Sequence, residues 1–150
     1  MTARWQVTPA AWDSPDGAEC LRIRMEVFVA EQGVPAEMEV DDTDAGAYHV
    51  LARDADGQPA GTGRLYADPA DPATAHIGRM AVRREARAGG CGAAIMRALM
   101  DEARRRGFSR VVLSAQTHAQ GFYARFGFLP VGEVYPDCNI PHINMQAHLG

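Results

Sequence analysis

The stretch Arg87-Ala88-Gly89-Gly90-Cys91-Gly92 places three glycines in four positions immediately ahead of a long helical pattern. Glycine there lets the backbone approach a ligand closely or take positive φ, while the first N–H groups of the helix lack intrahelical acceptors. Such a turn suits an anion. A P-loop would end in Gly-Lys-Ser/Thr, whereas Gly92 is followed by Ala93-Ala94, with no lysine and no hydroxyl for Mg²⁺. A dinucleotide fingerprint would open the first βαβ unit, but this loop lies past mid-chain, behind three strand-like segments. On the loop alone, a glycine-rich turn without a ligand stays open.

The other residue types with chemical potential exclude more than they assign. Cys20, Cys91 and Cys138 are odd in number and form no C-x-x-C, so neither a disulfide framework nor a zinc site is indicated. The acidic run from Glu37 to Asp44 lacks the glycine and the closing glutamate of a calcium loop, so a solvated loop and no metal are expected. Arg104-Arg105-Arg106 sits near a helix C-terminus, where cations meet the dipole on a solvated face. A net charge of −4, with no basic run interleaved with aromatics, argues against a nucleic-acid partner. The 150 residues suit one domain, 1–150, and 47% hydrophobic with 23% charged content is ordinary for a soluble protein. The first residues lack a signal-peptide apolar region and no stretch is long enough to cross a membrane, so a cytoplasmic location is expected.

These residues must be positioned by the elements around them. A strand is expected over about 3–8, then a helix opened by Ser14-Pro15 and ended by Gly33 and Pro35, with Leu21, Met25, Phe28 and Val29 as its apolar stripe. Two antiparallel strands, about 47–53 and 60–67, join around Asp56-Gly57. A strand over about 75–83 leads into the glycine loop. The helix that follows lines Ile95, Met96, Leu99, Met100 and Ala103 on one face and closes at Gly107. Arg110 to Ala115 reads as a buried strand, parallel to its predecessor if the crossover is right-handed. A short helix over about 118–126 and strands near 128–135 and 142–148 complete an α/β domain with a mixed sheet, in the order β-α-β-β-β-α-β-α-β-β.

This order, with R-x-x-G-x-G at Arg87 to Gly92 and "FYARFGF" at Phe122 to Phe128, resembles the GNAT superfamily of N-acetyltransferases. Three further pieces resemble its ElaA-like branch: Arg24-x-x-Val27-Phe28-Val29-x-Glu31-Gln32, Glu39-x-Asp41-x-x-Asp44, and Ile140-Pro141-His142-Ile143-x-Met145. The resemblance covers nearly the whole chain. It implies a single GNAT domain whose central strands splay apart around Met80 and Ser114, flanked by helices. It also implies acetyl-CoA as cosubstrate. The pyrophosphate would be held by N–H groups of Arg87, Ala88, Gly89, Gly90, Cys91 and Gly92, with the Arg87 side chain able to add charge. The strand segment Met80, Ala81 and Val82 would offer unpaired backbone to the pantetheine.

The resemblance also assigns chemistry. Tyr123 matches the tyrosine that faces the CoA sulfur and protonates the leaving thiolate, and the Met80 N–H is the expected carbonyl polariser. The family often carries a glutamate base where this chain has His76, and imidazole titrates near neutrality, so His76 is the first choice and His142 the second. Glu31 or Asp41 could hold a cationic amine. A covalent acetyl group on Cys91 is disfavoured because the family transfers directly, and Cys138 is expected on an exposed loop. The expected partners are therefore acetyl-CoA and an amine acceptor, with a homodimer left open. A non-catalytic acyl-CoA sensor or interaction module is the competing function, although Tyr123 beside an intact glycine loop favours an enzyme.

Overall fold

A computed structural model of the chain describes residues 4–150, so the start of the expected first strand, at residue 3, lies outside the described residues. β1 (Gln6–Pro9) pairs with β2 (Tyr48–Arg53), which turns into β3 (Pro59–Ala67). The turn forms because the Asp54 carboxylate accepts from the N–H groups of Asp56 and Gln58, both at 2.9 Å, while Gly57 takes φ +80°. β4 (Thr74–Val82), β5 (Arg110–Gln116), β6 (Leu129–Asp137) and β7 (Ile140–His148) complete a seven-stranded sheet in the order β1-β2-β3-β4-β5-β7-β6. Every neighbouring pair is antiparallel except β4 and β5, which are parallel.

A helix packs on each face. α1 (Pro15–Arg24) is capped by the Ser14 side chain, which accepts from the Gly17 N–H at 3.2 Å. Its chain continues as a π-helical segment, Met25–Glu31. The expected stripe of Leu21, Met25, Phe28 and Val29 is only half-buried: within α1 it is Cys20, Ile23 and Arg24 that face the sheet, and Val27 continues that face into the π segment, with Leu51 and Ala81. An apolar pattern specifies neither the hydrogen-bond register nor a buried arginine. On the other face α3 (Cys91–Arg105) buries the stripe Ile95, Met96, Leu99, Met100 and Ala103 as its 3.6-residue period requires. It lies unusually close to β3 because Gly61 and Gly63 leave room. A Cβ at Gly61 would sit 2.7 Å from Ile95 Cδ1, and one at Gly63 would sit 2.9 Å from Leu99 Cδ1. A short helix, α2 (Ala36–Glu39), follows the π segment, and α4 (Gln120–Ala124) is shorter than the 118–126 helix expected. β5 is buried on one face only: Val111, Leu113 and Ala115 point inward and Ser114 is exposed.

The acidic run is solvated only in part, with Glu37 and Asp42 exposed. Glu39 and Asp44 are each about as buried as core leucines, and Arg24 is buried between them. Arg24 Nε donates to Glu39 Oε1 at 3.1 Å and Nη1 to Asp44 Oδ1 at 2.8 Å, while Arg64 Nη1 reaches the same Asp44 oxygen at 2.7 Å. Buried His49 meets the Asp44 carbonyl at 2.9 Å and stacks on Trp12. Burial alone would push the Asp44 carboxyl up, but the hydrogen bonds and charge of Arg24 and Arg64 outweigh it and bring it down to about 2. Glu39 moves the other way, because burial outweighs Arg79 and Arg24. Acids spaced along a loop read as solvated until partners from α1, β3 and β4 surround them.

Asp44→Asn should therefore destabilise the chain by about 3–5 kcal/mol, since it leaves two buried guanidinium groups underpaired. A depressed carboxyl contributes stability above its unfolded value of 3.8 and loses it as pH falls through about 2. The wild-type advantage over Asp44→Asn in urea unfolding should accordingly shrink as pH is lowered from about 4 toward 2. A gap that stays constant over that window would assign the effect to packing instead of charge.

Candidate active site

β4 and β5 pair at only three positions, Thr74↔Arg110, Ala75↔Val111 and His76↔Val112, and then part. β4 stays with β3 as far as Val82, while β5 stays with β7 as far as Gln116↔His142. The divergence opens a cleft of about 540 Å³ between Met80, Ala81 and Val82 on one wall and Leu113, Ser114 and Gln116 on the other. A bulge assists it. Arg64↔Gly78 is followed by Thr62↔Ala81, so β4 carries one extra residue, and Arg79 takes φ +50° there. Residues 77–82 consequently have no strand partner on the β5 side.

Arg87, the first residue of the glycine loop, borders this cleft. Gly90, at φ +88°, caps α3, and the N–H groups of Ala88 to Ala93 find no hydrogen-bond acceptor among the described residues. An array of unpaired N–H groups at the positive end of a 15-residue helix is a ready anion site. The Arg87 side chain lines the cleft but turns back on the frame. Its Nε donates to the Val82 carbonyl at 2.9 Å and its Nη2 to Glu31 at 2.7 Å. Cys91, inside this loop, is fully buried, and burial pushes its thiol up to about 11, so it stays protonated and is a poor nucleophile.

Tyr123 enters the same cleft from α4. Its ring is held edge-on by Phe122 at 5.1 Å and Phe128 at 6.2 Å, and burial pushes its hydroxyl up to about 12. Among the described residues the hydroxyl has no hydrogen-bond partner, and Tyr123 lines the cleft. His142 also lines the cleft, beside Gln116 on the β5 side. Its Nδ1 meets the Ile140 carbonyl at 2.7 Å, which in the neutral ring puts the proton on Nδ1 and leaves Nε2 as an acceptor. Tyr135 stacks on this imidazole and ties Ser114 to Asn144 through its hydroxyl.

Other expected residues lie elsewhere. His76 sits at the closed end of the wedge, outside the cleft lining. Its Nε2 is 2.7 Å from Asp68 and its ring is stacked on Tyr66. Glu31 and Asp41, expected to hold a cationic amine, already hold arginines: Glu31 has Arg87, and Asp41 accepts from Arg64 at 2.8 and 2.9 Å and from Arg79 at 3.3 Å. Cys138, expected on an exposed loop, is half-buried at the β6–β7 turn and lines the cleft. Sequence reasoning missed Arg64 and Arg79 on the cleft wall, and it carried Glu39 only as a residue of the Glu39-x-Asp41-x-x-Asp44 motif, with no role in the cleft. Among the described residues no cluster of His, Cys, Asp and Glu could hold a metal ion, and no helix is long and apolar enough to cross a membrane.

This arrangement can be set beside known proteins. The family described as an acetyltransferase (GNAT) domain matches residues 13–149. The uncharacterized N-acetyltransferase YjcF of Bacillus subtilis is 36% identical over 125 residues, covering 83% of this chain and 86% of that protein. ElaA of Escherichia coli is 34% identical over 131 residues, 86% of this chain and 85% of that one, and its crystal structure superposes with a TM-score of 0.81 over 95% and 97% of the two chains. An acyl-CoA N-acyltransferase structure from Pseudomonas aeruginosa, 36% identical, gives 0.80 over 95% and 97%.

Proposed function

The chain belongs to the GNAT acetyltransferase family and is an acyltransferase that draws on an acyl-CoA; we propose that it moves the acetyl group of acetyl-CoA directly onto a primary amine. The observation that carries this reading is the shared cleft. The β4 segment from Met80 to Val82, which has no β5 partner, and Tyr123 line one wedge together with Arg87, and Arg87 leads directly into the run of unpaired N–H groups at the α3 N-terminus.

Acetyl-CoA would supply an activated acyl group and a thiol leaving group. The loop N–H groups of Ala88 to Gly92 would take its pyrophosphate, and the β4 edge would take its pantetheine as an added strand. The Met80 N–H would polarise the reacting carbonyl, and Tyr123 would donate to the sulfur as the C–S bond breaks. His142 Nε2 would accept the amine proton, directly or through water. His142 now precedes His76, because His76 is engaged by Asp68 behind Tyr66. The protonated, buried thiol of Cys91 favours direct transfer over an acetyl-enzyme.

The test is thiol release from acetyl-CoA across a panel of primary amines, with mass spectrometry of both amine and protein. Release that needs an amine, with the acetyl mass on the amine and none on the protein, is expected. Tight acetyl-CoA binding without release for any amine would favour the acyl-CoA sensor reading. With a working acceptor, His142→Gln should lower kcat/KM by about 10- to 100-fold, and His76→Gln should leave it nearly unchanged. Full activity in both variants would mean that solvent removes the proton.

A further inference from the structure

The glycine loop is braced from the far end of the chain. Trp5, 84 residues away in sequence, donates its indole Nε1–H to the Gly89 carbonyl at 2.8 Å. The indole and its neighbour form the underside of the turn. A Cβ added at Gly89 would lie 3.0 Å from Arg4 Nη2 and 3.3 Å from Trp5 Cζ2, and one at Gly90 would lie 3.8 Å from Trp5 Nε1. The Arg4 guanidinium sits 5.2 Å from the centre of the same indole, so the ring also keeps a cation beside the loop. Resting on the acyl-CoA reading above, we propose that Trp5 is a positioning residue for the acyl-CoA phosphates: it holds the loop in the conformation that receives them and senses their arrival.

The loop needs such a brace. Ala88 at φ +64° and Gly90 at φ +88° are both left-handed, and an alanine adopts that conformation only when its surroundings fix it. The described hydrogen bonds from outside that bear on the turn are few. Arg87 ties its start to Val82 and Glu31, and Trp5 alone ties its apex. A trans peptide sets its C=O and N–H on opposite sides, so an indole that holds the Gly89 oxygen turns the Gly90 N–H away from the ring. Trp5 itself is anchored by the β1 register, in which Gln6 pairs with Arg53. Without the brace the Gly89–Gly90 peptide is free to rotate, and an anion must then select one conformer out of several.

The experiment uses the full chain and CoA. In calorimetry Trp5→Phe, which keeps a ring under the loop but removes the donor, should weaken CoA affinity about tenfold. With a working acceptor the loss should appear as a raised KM for acetyl-CoA at unchanged kcat. A role in stability alone would lower the melting temperature and leave the affinity unmoved, and that result would overturn the proposal. The second arm does not depend on that variant folding. Trp12→Phe leaves Trp5 as the only tryptophan, and CoA should change its emission with the midpoint calorimetry gives. Heat of binding without any change in Trp5 emission would also overturn it. Wild-type protein that binds no CoA would instead overturn the acyl-CoA reading itself.

Discussion

Gly90→Val is expected to lower acyl-CoA affinity by about 100-fold or more while the chain stays folded. Gly90 holds φ +88° and ψ +4° as the cap of α3, where a β-branched residue is a steric outlier. The loop must rearrange to relieve that strain, and the N–H groups from Ala88 to Ala93 then lose their common direction. The cost to folding should stay near 1–2 kcal/mol, the scale of one left-handed residue, because α3 itself is held by Ile95, Met96 and Leu99 in the core. Calorimetry with acetyl-CoA, beside a urea melt, separates the two effects. Unchanged affinity in a folded variant would remove the loop from the binding site.

Tyr123→Phe should lower kcat by about 10- to 1,000-fold with acyl-CoA affinity nearly unchanged, because the ring contacts with Phe122 and Phe128 survive and only the hydroxyl is lost. A phenol pushed up to about 12 looks a weak acid for a thiol that titrates near 8.5 in water. The same burial raises the basicity of a thiolate formed beside it, so the mismatch inside the cleft is smaller than it is in solution. The raised value also fixes a sign. Tyr123 stays protonated until pH approaches about 12, so an alkaline fall in rate below that point must come from another group. Stopped turnover and a binding titration on the same preparation decide the matter. Full turnover in the variant would mean that water or another side chain protonates the sulfur.

How much of this was legible depends on whether a feature is periodic or assembled. α3 could be read because a 3.6-residue stripe from Ile95 to Ala103 has one packing solution, and the glycine loop because three glycines before a helix have few structural uses. The π-helical turn at Met25–Glu31 could not, since an apolar pattern does not specify which carbonyl each N–H will choose. The buried Arg24, Glu39 and Asp44 were legible as motif residues but not as partners, because each is neutralised by an element distant in sequence. His76 and His142 lie 66 positions apart in sequence, and only the point at which β4 leaves β5 decides which of them meets the cleft. Trp5 gave no local signal.

The three-pair seam between β4 and β5 has a meaning for how the chain assembles. β1 to β4 close by antiparallel pairing of chain neighbours, apart from the excursion of α1, and on the other side β6 and β7 form such a neighbour pair with β5 antiparallel to β7. The parallel pairing must wait for a crossover through α3, the slower kind of search. The reactive wedge is thus the unfinished part of the contact between two locally assembled halves. A mutation that zipped β4 and β5 further would tighten the fold and close the enzyme, so in this chain selection for stability and selection for turnover meet at the residues just beyond His76 and Val112.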